Sequence, residues 1–363
     1  MIGIVSKKPP KGRGAVSNIS GRYERYATFP VDDGWQFDTN LAPAPFRTTV
    51  MEESPKTVIT YNQSPDVPFN RSLNAYRGCE HGCIYCFARP THAYQGMSPG
   101  LDFESKLFAK PDAAVVLEKE LRKPGYSPET LAIGTNTDPY QPIERTRRIT
   151  REVLEVLSNF NHPTAIITKS QLILRDLDIL ASMAERDLLS VGISVTTLDQ
   201  RLSRVMEPRA PTPKRRLETI RKLAEASIPV TVMLAPIIPA INDHEIETIV
   251  AATAETGAIA ADYILLRLPR EVKDLFQEWL IAHYPDRVKK VLSLTALYRE
   301  GKLYSSDWFK RMRGEGPYAD LLEKRFTLAC KRMNLRVKNA RTPILQTDVF
   351  QSRLQTHGQL SLF

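Results

Sequence analysis

The chain has 363 residues, 42% hydrophobic and 25% charged, enough for one large core or two modest ones and too apolar for a disordered polymer. Its formal charge of +9 is uneven: residues 1–28 carry six Lys/Arg against one acid and residues 287–341 fifteen against five, which leaves 29–286 at −6. Two basic flanks around an acidic middle point to a polyanionic partner such as nucleic acid, with a merely solvated basic surface as the competing account.

Residues 1–65 are broken by Gly, Pro and Ser without a sustained apolar period and are expected to form a basic N-terminal arm. The opening MIGIVSKKPPKGRG places a very short apolar segment ahead of its lysines, the reverse of a secretory signal, so a cytoplasmic protein is expected. Pro65 to Arg71 leads into the first regular element. From Leu131 onward β-branched runs recur at Leu131–Gly134, Thr164–Thr168, Ser190–Thr196, Pro229–Ala235 and Asp262–Leu268. Segments with helical spacing follow them, as at Glu152–Leu157 and Arg215–Ala226. Strand then helix, at intervals of roughly 30 residues, predicts βα units, a parallel sheet and an α/β barrel or partial barrel over 66–270.

The apolar run Val230–Ile241 is broken by Thr231, Pro236 and Pro239 and is shorter than the roughly 18 residues of a membrane helix, so no membrane span is expected. Asp274–Leu280 and Ala319–Met333 predict a basic helical region over 271–341. A polar tail over 342–363 closes on the apolar Gln359-Leu-Ser-Leu-Phe363.

In barrels of this kind chemistry gathers at the C-terminal strand ends. Those ends carry Thr135, Asn136, Thr137 and Asp138, then Lys169 and Ser170, then Ser194 and Thr196, then Arg267; helix capping is the competing account at each position. Three of the four cysteines lie in one loop, Cys79-x3-Cys83-x2-Cys86. So few cysteines are not a disulfide framework, and metal binding or catalysis is the better reading. Zinc would need a fourth ligand, with His81 and His92 as candidates. Three thiolates also suit three irons of a 4Fe–4S cluster whose fourth iron is left open.

The loop, with Tyr85 just before its last cysteine, resembles that of the radical S-adenosylmethionine (radical SAM) superfamily. The resemblance implies a partial (β/α)6 TIM-like barrel with an extended N-terminal arm and a C-terminal helical layer. It implies a 4Fe–4S cluster on Cys79, Cys83 and Cys86, S-adenosylmethionine on the open iron, and reductive cleavage to a 5′-deoxyadenosyl radical. A flavodoxin- or ferredoxin-type electron donor would supply the electron. By position, Thr135, Asn136, Thr137 and Asp138 would hold the cofactor's amino group, Ser194 and Thr196 its ribose, and Arg209 its carboxylate, with Arg216 the competitor. Tyr85, Lys169 and Ser170 fall in the same cofactor-binding set.

Arg77-Gly-Cys79, Tyr85-Cys-Phe-Ala-Arg-Pro90, Gly134 to Pro142 and Thr168-Lys-Ser170 together look like the spore photoproduct lyase-like members, labelled DNA repair photolyases, from about Tyr61 to Pro269. That resemblance implies action on nucleic acid, DNA favoured, with RNA or a protein side chain as the alternative and a non-catalytic metal-bound adaptor as a third reading. One departure matters: no cysteine lies between Phe87 and Ala329, so no barrel thiol can return a hydrogen atom, and Cys330 is read as a buried inert thiol. Finally, Gln359, Leu360, Leu362 and Phe363 resemble the short peptide by which bacterial repair proteins bind the sliding clamp.

Overall fold

The computed structural model describes residues 10–24, 47–337 and 345–352. In chain order, β1 (Thr49–Glu52), β2 (Ile59–Tyr61), β3 (Arg71–Leu73) and β4 (Tyr76–Arg77) lead into the cysteine loop, and α1 (Leu101–Ser105), β5 (Lys106–Ala109) and α2 (Ala113–Leu121) follow it. Five repeating units come next. They are β6 (Leu131–Ile133) with α3 (Glu144–Arg147) and α4 (Ile149–Asn159); β7 (Thr164–Thr168) with α5 (Leu177–Glu185); β8 (Leu189–Ser194) with α6 (Gln200–Met206) and α7 (Pro213–Glu225); β9 (Val230–Ile237) with α8 (Ile246–Glu255); and β10 (Ala260–Leu265) with α9 (Val272–His283). A helical layer of α10 (Val288–Leu297), α11 (Lys310–Arg313) and α12 (Pro317–Arg332) precedes β11 (Arg336–Val337).

Strands β3, β6, β7, β8, β9 and β10 pair in parallel in that order, with β2 antiparallel on one edge and β11 parallel on the other. The alternation predicts a barrel or partial barrel and the family resemblance implies (β/α)6, and six parallel strands are what the sheet holds between those two edges. Its middle strand β8 is buried along its whole length, because helices cover one face and the barrel interior the other. Helix starts follow local chemistry. The Asp199 carboxylate accepts from the Arg201 and Leu202 amides to open α6, and prolines at the first turn open α7 and α12.

Two strands, β1 and β2, lie ahead of Pro65, in a stretch that reads as arm from sequence. Both are short and draw their partners from elsewhere in the chain, β1 from β5 and β2 from β3, so no local period announces them. With β4 they build the small sheet β1-β5-β4 and the barrel's first edge, which together flank the cysteine loop. The opposite edge is tied back to this side of the molecule: Arg311 binds Asp66 through two nitrogens, at 2.5 and 2.6 Å.

The described part of the tail, residues 345–352, packs beneath the barrel. The Gln346 amide donates to the Asp187 carbonyl at 3.0 Å, and Phe350 sits among Phe160, His162 and Tyr126. Those partners precede β7 and β8, so this contact is at the strands' N-terminal ends, opposite the cysteine loop. Gln359, Leu360, Leu362 and Phe363 lie outside the described residues.

Candidate active site

The cysteine loop begins at the end of β4 and is held almost entirely through its backbone. The Cys79 amide donates to the Phe103 carbonyl at 3.0 Å, the Ile84 amide to Met206 at 3.1 Å, and the Arg209 amide to the His81 carbonyl at 3.3 Å. From the β6 end, the Thr137 hydroxyl donates to the Gly78 carbonyl at 2.7 Å while the Gln141 amide oxygen accepts from the Glu80 amide at 2.9 Å. Gly82 turns the loop with φ +67°, a conformation that disfavours a side chain.

Beneath it lies Arg89, completely buried. Its Nε donates to the Cys83 carbonyl at 2.9 Å, Nη2 to the Gly82 carbonyl at 3.0 Å, and Nη1 to the Gly100 carbonyl at 2.9 Å, while Nη2 also meets the buried carboxylate of Glu104. Glu104 in turn accepts from the Gly14 and Ala15 amides at 2.9 and 2.8 Å, which lays the N-terminal arm on the loop. The approach is so close that a Cβ on Gly14 would fall 1.9 Å from the Gly82 carbonyl oxygen.

Above the loop, the completely buried Glu207 gathers Tyr85, Thr196, Arg216 and Lys169. Its carboxylate accepts from the Thr196 hydroxyl at 2.8 Å, from the Tyr85 hydroxyl and from Arg216, and Lys169 Nζ stands 3.9 Å away. Burial alone would raise its pKa, but Arg216 and Lys169 outweigh that and hold it at about 2. Two cations thus share one carboxylate, Arg216 in direct contact and Lys169 further off.

Asp138 is satisfied in a similar way. Its oxygens accept from the Thr168 hydroxyl at 2.6 Å and the Lys169 amide at 2.8 Å, and His81 Nδ1 lies 3.3 Å away without the alignment of a hydrogen bond. Burial pushes this carboxyl up, and His81 with those donors brings it down to about 2.

The structure thus brings Tyr85, Lys169, Ser194 and Thr196 together around Glu207, with the Ser194 carbonyl accepting from Arg216 at 3.2 Å. Thr135 and Asn136 stand at the open end of β6 against Asn74, which accepts from the Asn136 amide at 3.0 Å. Other members of the sequence set have structural duties. Thr137 and Asp138 turn toward the cysteine loop, Ser170 caps the next turn by accepting from the Leu172 amide, and Arg209 pairs with Glu80 at 3.2 Å. Arg216 is spent on Glu207. His92 is a packed histidine, wedged against Phe103 and Phe108 with its Nε2 donating to the Lys106 carbonyl. Cys330 is buried in α12, on the helical layer that packs against α8, next to the start of β11. Sequence reading did not single out Arg89, Glu104 or Glu207. Arg89 at least lies beside the cysteine motif, but Glu104 and Glu207 are distant from it in sequence, and charged residues normally read as surface.

The donor set suits an iron–sulfur cluster: three cysteine thiols share one loop, and such a cluster is held by thiolates at separate corners. Burial, with Glu207 close by, pushes the Cys83 thiol up to about 12, and burial with Asp138 also raises Cys79. Thiols so placed ionise when a bound metal supplies the compensating charge.

The chain is similar to several known proteins. The radical SAM superfamily pattern matches residues 73–252. An uncharacterized protein of Mycobacterium tuberculosis is 35% identical over 249 residues, covering 68% of this chain and 72% of that protein. One from Methanocaldococcus jannaschii is 26% identical over 231 residues, covering 62% and 81%. Among solved structures, a spore photoproduct lyase variant with bound AdoMet and dinucleoside spore photoproduct superposes with a TM-score of 0.52 at 14% identity, over 79% of this chain and 81% of that one; at that identity the likeness concerns the fold.

Proposed function

The chain belongs to the radical SAM superfamily, and from that premise we propose that it binds S-adenosylmethionine at a 4Fe–4S cluster and acts on nucleic acid, DNA ahead of RNA or a protein side chain. The observation that carries the reading is the loop itself: three thiols presented at the barrel's strand ends on a backbone fixed by Arg89, Thr137 and Gln141. Cys79, Cys83 and Cys86 would hold the iron. When bound, the cluster and S-adenosylmethionine supply the electron and the adenosyl group for hydrogen-atom abstraction.

The protein's own groups bind and orient. Lys169, the further of the two cations beside Glu207, takes the cofactor carboxylate in place of Arg209, whose guanidinium is engaged by Glu80. Thr135 and Asn136 offer polar groups for the amino end, and Ser194 and Thr196 flank the ribose. The basic excess of 287–341 supports a phosphate-bearing substrate. A flavodoxin- or ferredoxin-type protein serves as reductant in the cytoplasm. Among the described residues no helix is long and apolar enough to cross a membrane. Gln359, Leu360, Leu362 and Phe363 would bind the sliding clamp, which a clamp pull-down unchanged by deleting 359–363 would refute.

Anaerobic reconstitution tests the central claim. About four irons per chain and release of 5′-deoxyadenosine and methionine under dithionite are expected. Undiminished release from a Cys83→Ala variant would sink it. Retention on DNA and RNA across a salt series then separates the substrate classes.

A further inference from the structure

Aromatic rings that a folded chain would ordinarily bury are exposed directly after the cysteine loop and just before α11. Phe87, which directly follows Cys86, is 44% exposed; Trp308 and Phe309, just before α11, are 55% and 62% exposed; Tyr94 is 60% exposed. Arginines lie among them. Arg267, at the end of β10, holds its guanidinium 5.0 Å from the Phe87 ring centroid and places Nη1 3.3 Å from the Met312 sulfur of α11. Its guanidinium also interacts with Tyr304, while its buried Nε has no acceptor among the described residues. Three residues on, Arg270 donates to the Tyr94 hydroxyl at 3.3 Å.

Phe309 adds a second kind of observation. Its φ is +66°, a backbone conformation that costs free energy for any residue with a side chain and most for a bulky one. The strain is fixed by the Phe309 amide, which donates to Asp66 at 3.3 Å, and by the neighbouring Arg311–Asp66 pair. The ring thus stands 62% exposed on a strained backbone that Asp66 holds in place.

We propose that Phe87, Arg267, Trp308 and Phe309 form a stacking ledge for unpaired bases, so that the nucleic acid reaches the cysteine loop as a single strand or an unstacked segment rather than as intact duplex. Flat exposed rings interleaved with guanidinium groups take any base on its π-face, while paired bases in a duplex have no free face to offer. The local charge is complementary: residues 302–313 carry four Lys/Arg against one acid. This inference rests on the nucleic-acid reading above.

The full chain is titrated with a 12-nucleotide thymidine strand and with a matched duplex, reading anisotropy and tryptophan emission. Single strand should bind more tightly than duplex and quench the emission. Trp308→Phe should keep the affinity and lose most of the quench. A Trp308→Ala, Phe309→Ala double variant should weaken single-strand binding about tenfold per ring and change duplex binding less than threefold, with the salt slope unaltered because no charge is removed. Equal affinity of parent and double variant for single strand, or an equal loss on both forms, overturns the ledge and leaves the nucleic-acid reading standing. Binding of neither form by the parent overturns both. Both substitutions are at exposed positions, and a matching melting temperature confirms the fold.

Discussion

The Nε of Arg89 donates to the carbonyl of Cys83 at 2.9 Å inside a fully buried ion pair with Glu104, so the conformation of the cysteine loop is set by a side chain that touches no thiol. Removing one member of a buried pair strands the other. Arg89→Met should therefore lower stability by about 3–5 kcal/mol and lose most of the iron taken up on reconstitution. Thermal melting and iron content measure the two effects separately. Iron content equal to the parent's would mean that the loop holds its shape unaided.

The arm depends on the absence of one carbon atom. Gly14→Ala would place a Cβ against the Gly82 carbonyl, and the arm must move off the loop to relieve it. A loss of about 1–3 kcal/mol is expected, together with faster proteolysis within 10–24 and faster amide exchange at Gly14 and Ala15. Unchanged protection of those two amides would show that the contact gives without releasing the arm.

Lys169 and Glu207 should respond differently to mutation. Lys169 is only partly buried and is the further of the two cations, so Lys169→Met should leave the melting temperature nearly unchanged and weaken S-adenosylmethionine binding about tenfold, the value of one charge-assisted hydrogen bond. Equilibrium dialysis on reconstituted protein measures it. Glu207→Gln leaves Arg216 buried without its counter-charge and should instead cost about 3–5 kcal/mol of stability.

His162 makes stability depend on pH. Burial, more than the nearby Arg71, lowers its pKa from 6.5 to about 4, while its Nδ1 meets the Pro163 carbonyl and its Nε2 the Tyr126 hydroxyl. The folded state thus holds the ring neutral, and between those two values the unfolded chain binds the extra proton. The contribution is complete above pH 6.5 and fades as pH falls toward 4, by about 3 kcal/mol in all. Urea melts at pH 7 and 4.5 should show the loss, and His162→Gln should flatten it; an equally steep variant would assign the effect to other groups.

The barrel was legible because its signals are local. Thr164–Thr168 is a strand in both sequence and structure, and Asp274–Leu280 lies inside α9. A β-branched run or a helical period needs no knowledge of what it will touch. The three cysteines announce themselves by spacing for the same reason. Glu207 does not: its partner Tyr85 lies 122 residues away, and a lone glutamate between Met206 and Pro208 reads as solvent-facing until the fold closes around it. Strands β1 and β2 were hidden in the same way, since edge strands of three or four residues owe their order to distant partners. Long-range charge pairing is the part of this site that composition and period cannot carry.

The seating of Phe350 under β7 has a directional consequence. The described tail therefore ends at the strands' N-terminal ends, on the far side of the sheet from the three thiols, so that a load attached at residue 352 would leave them uncovered.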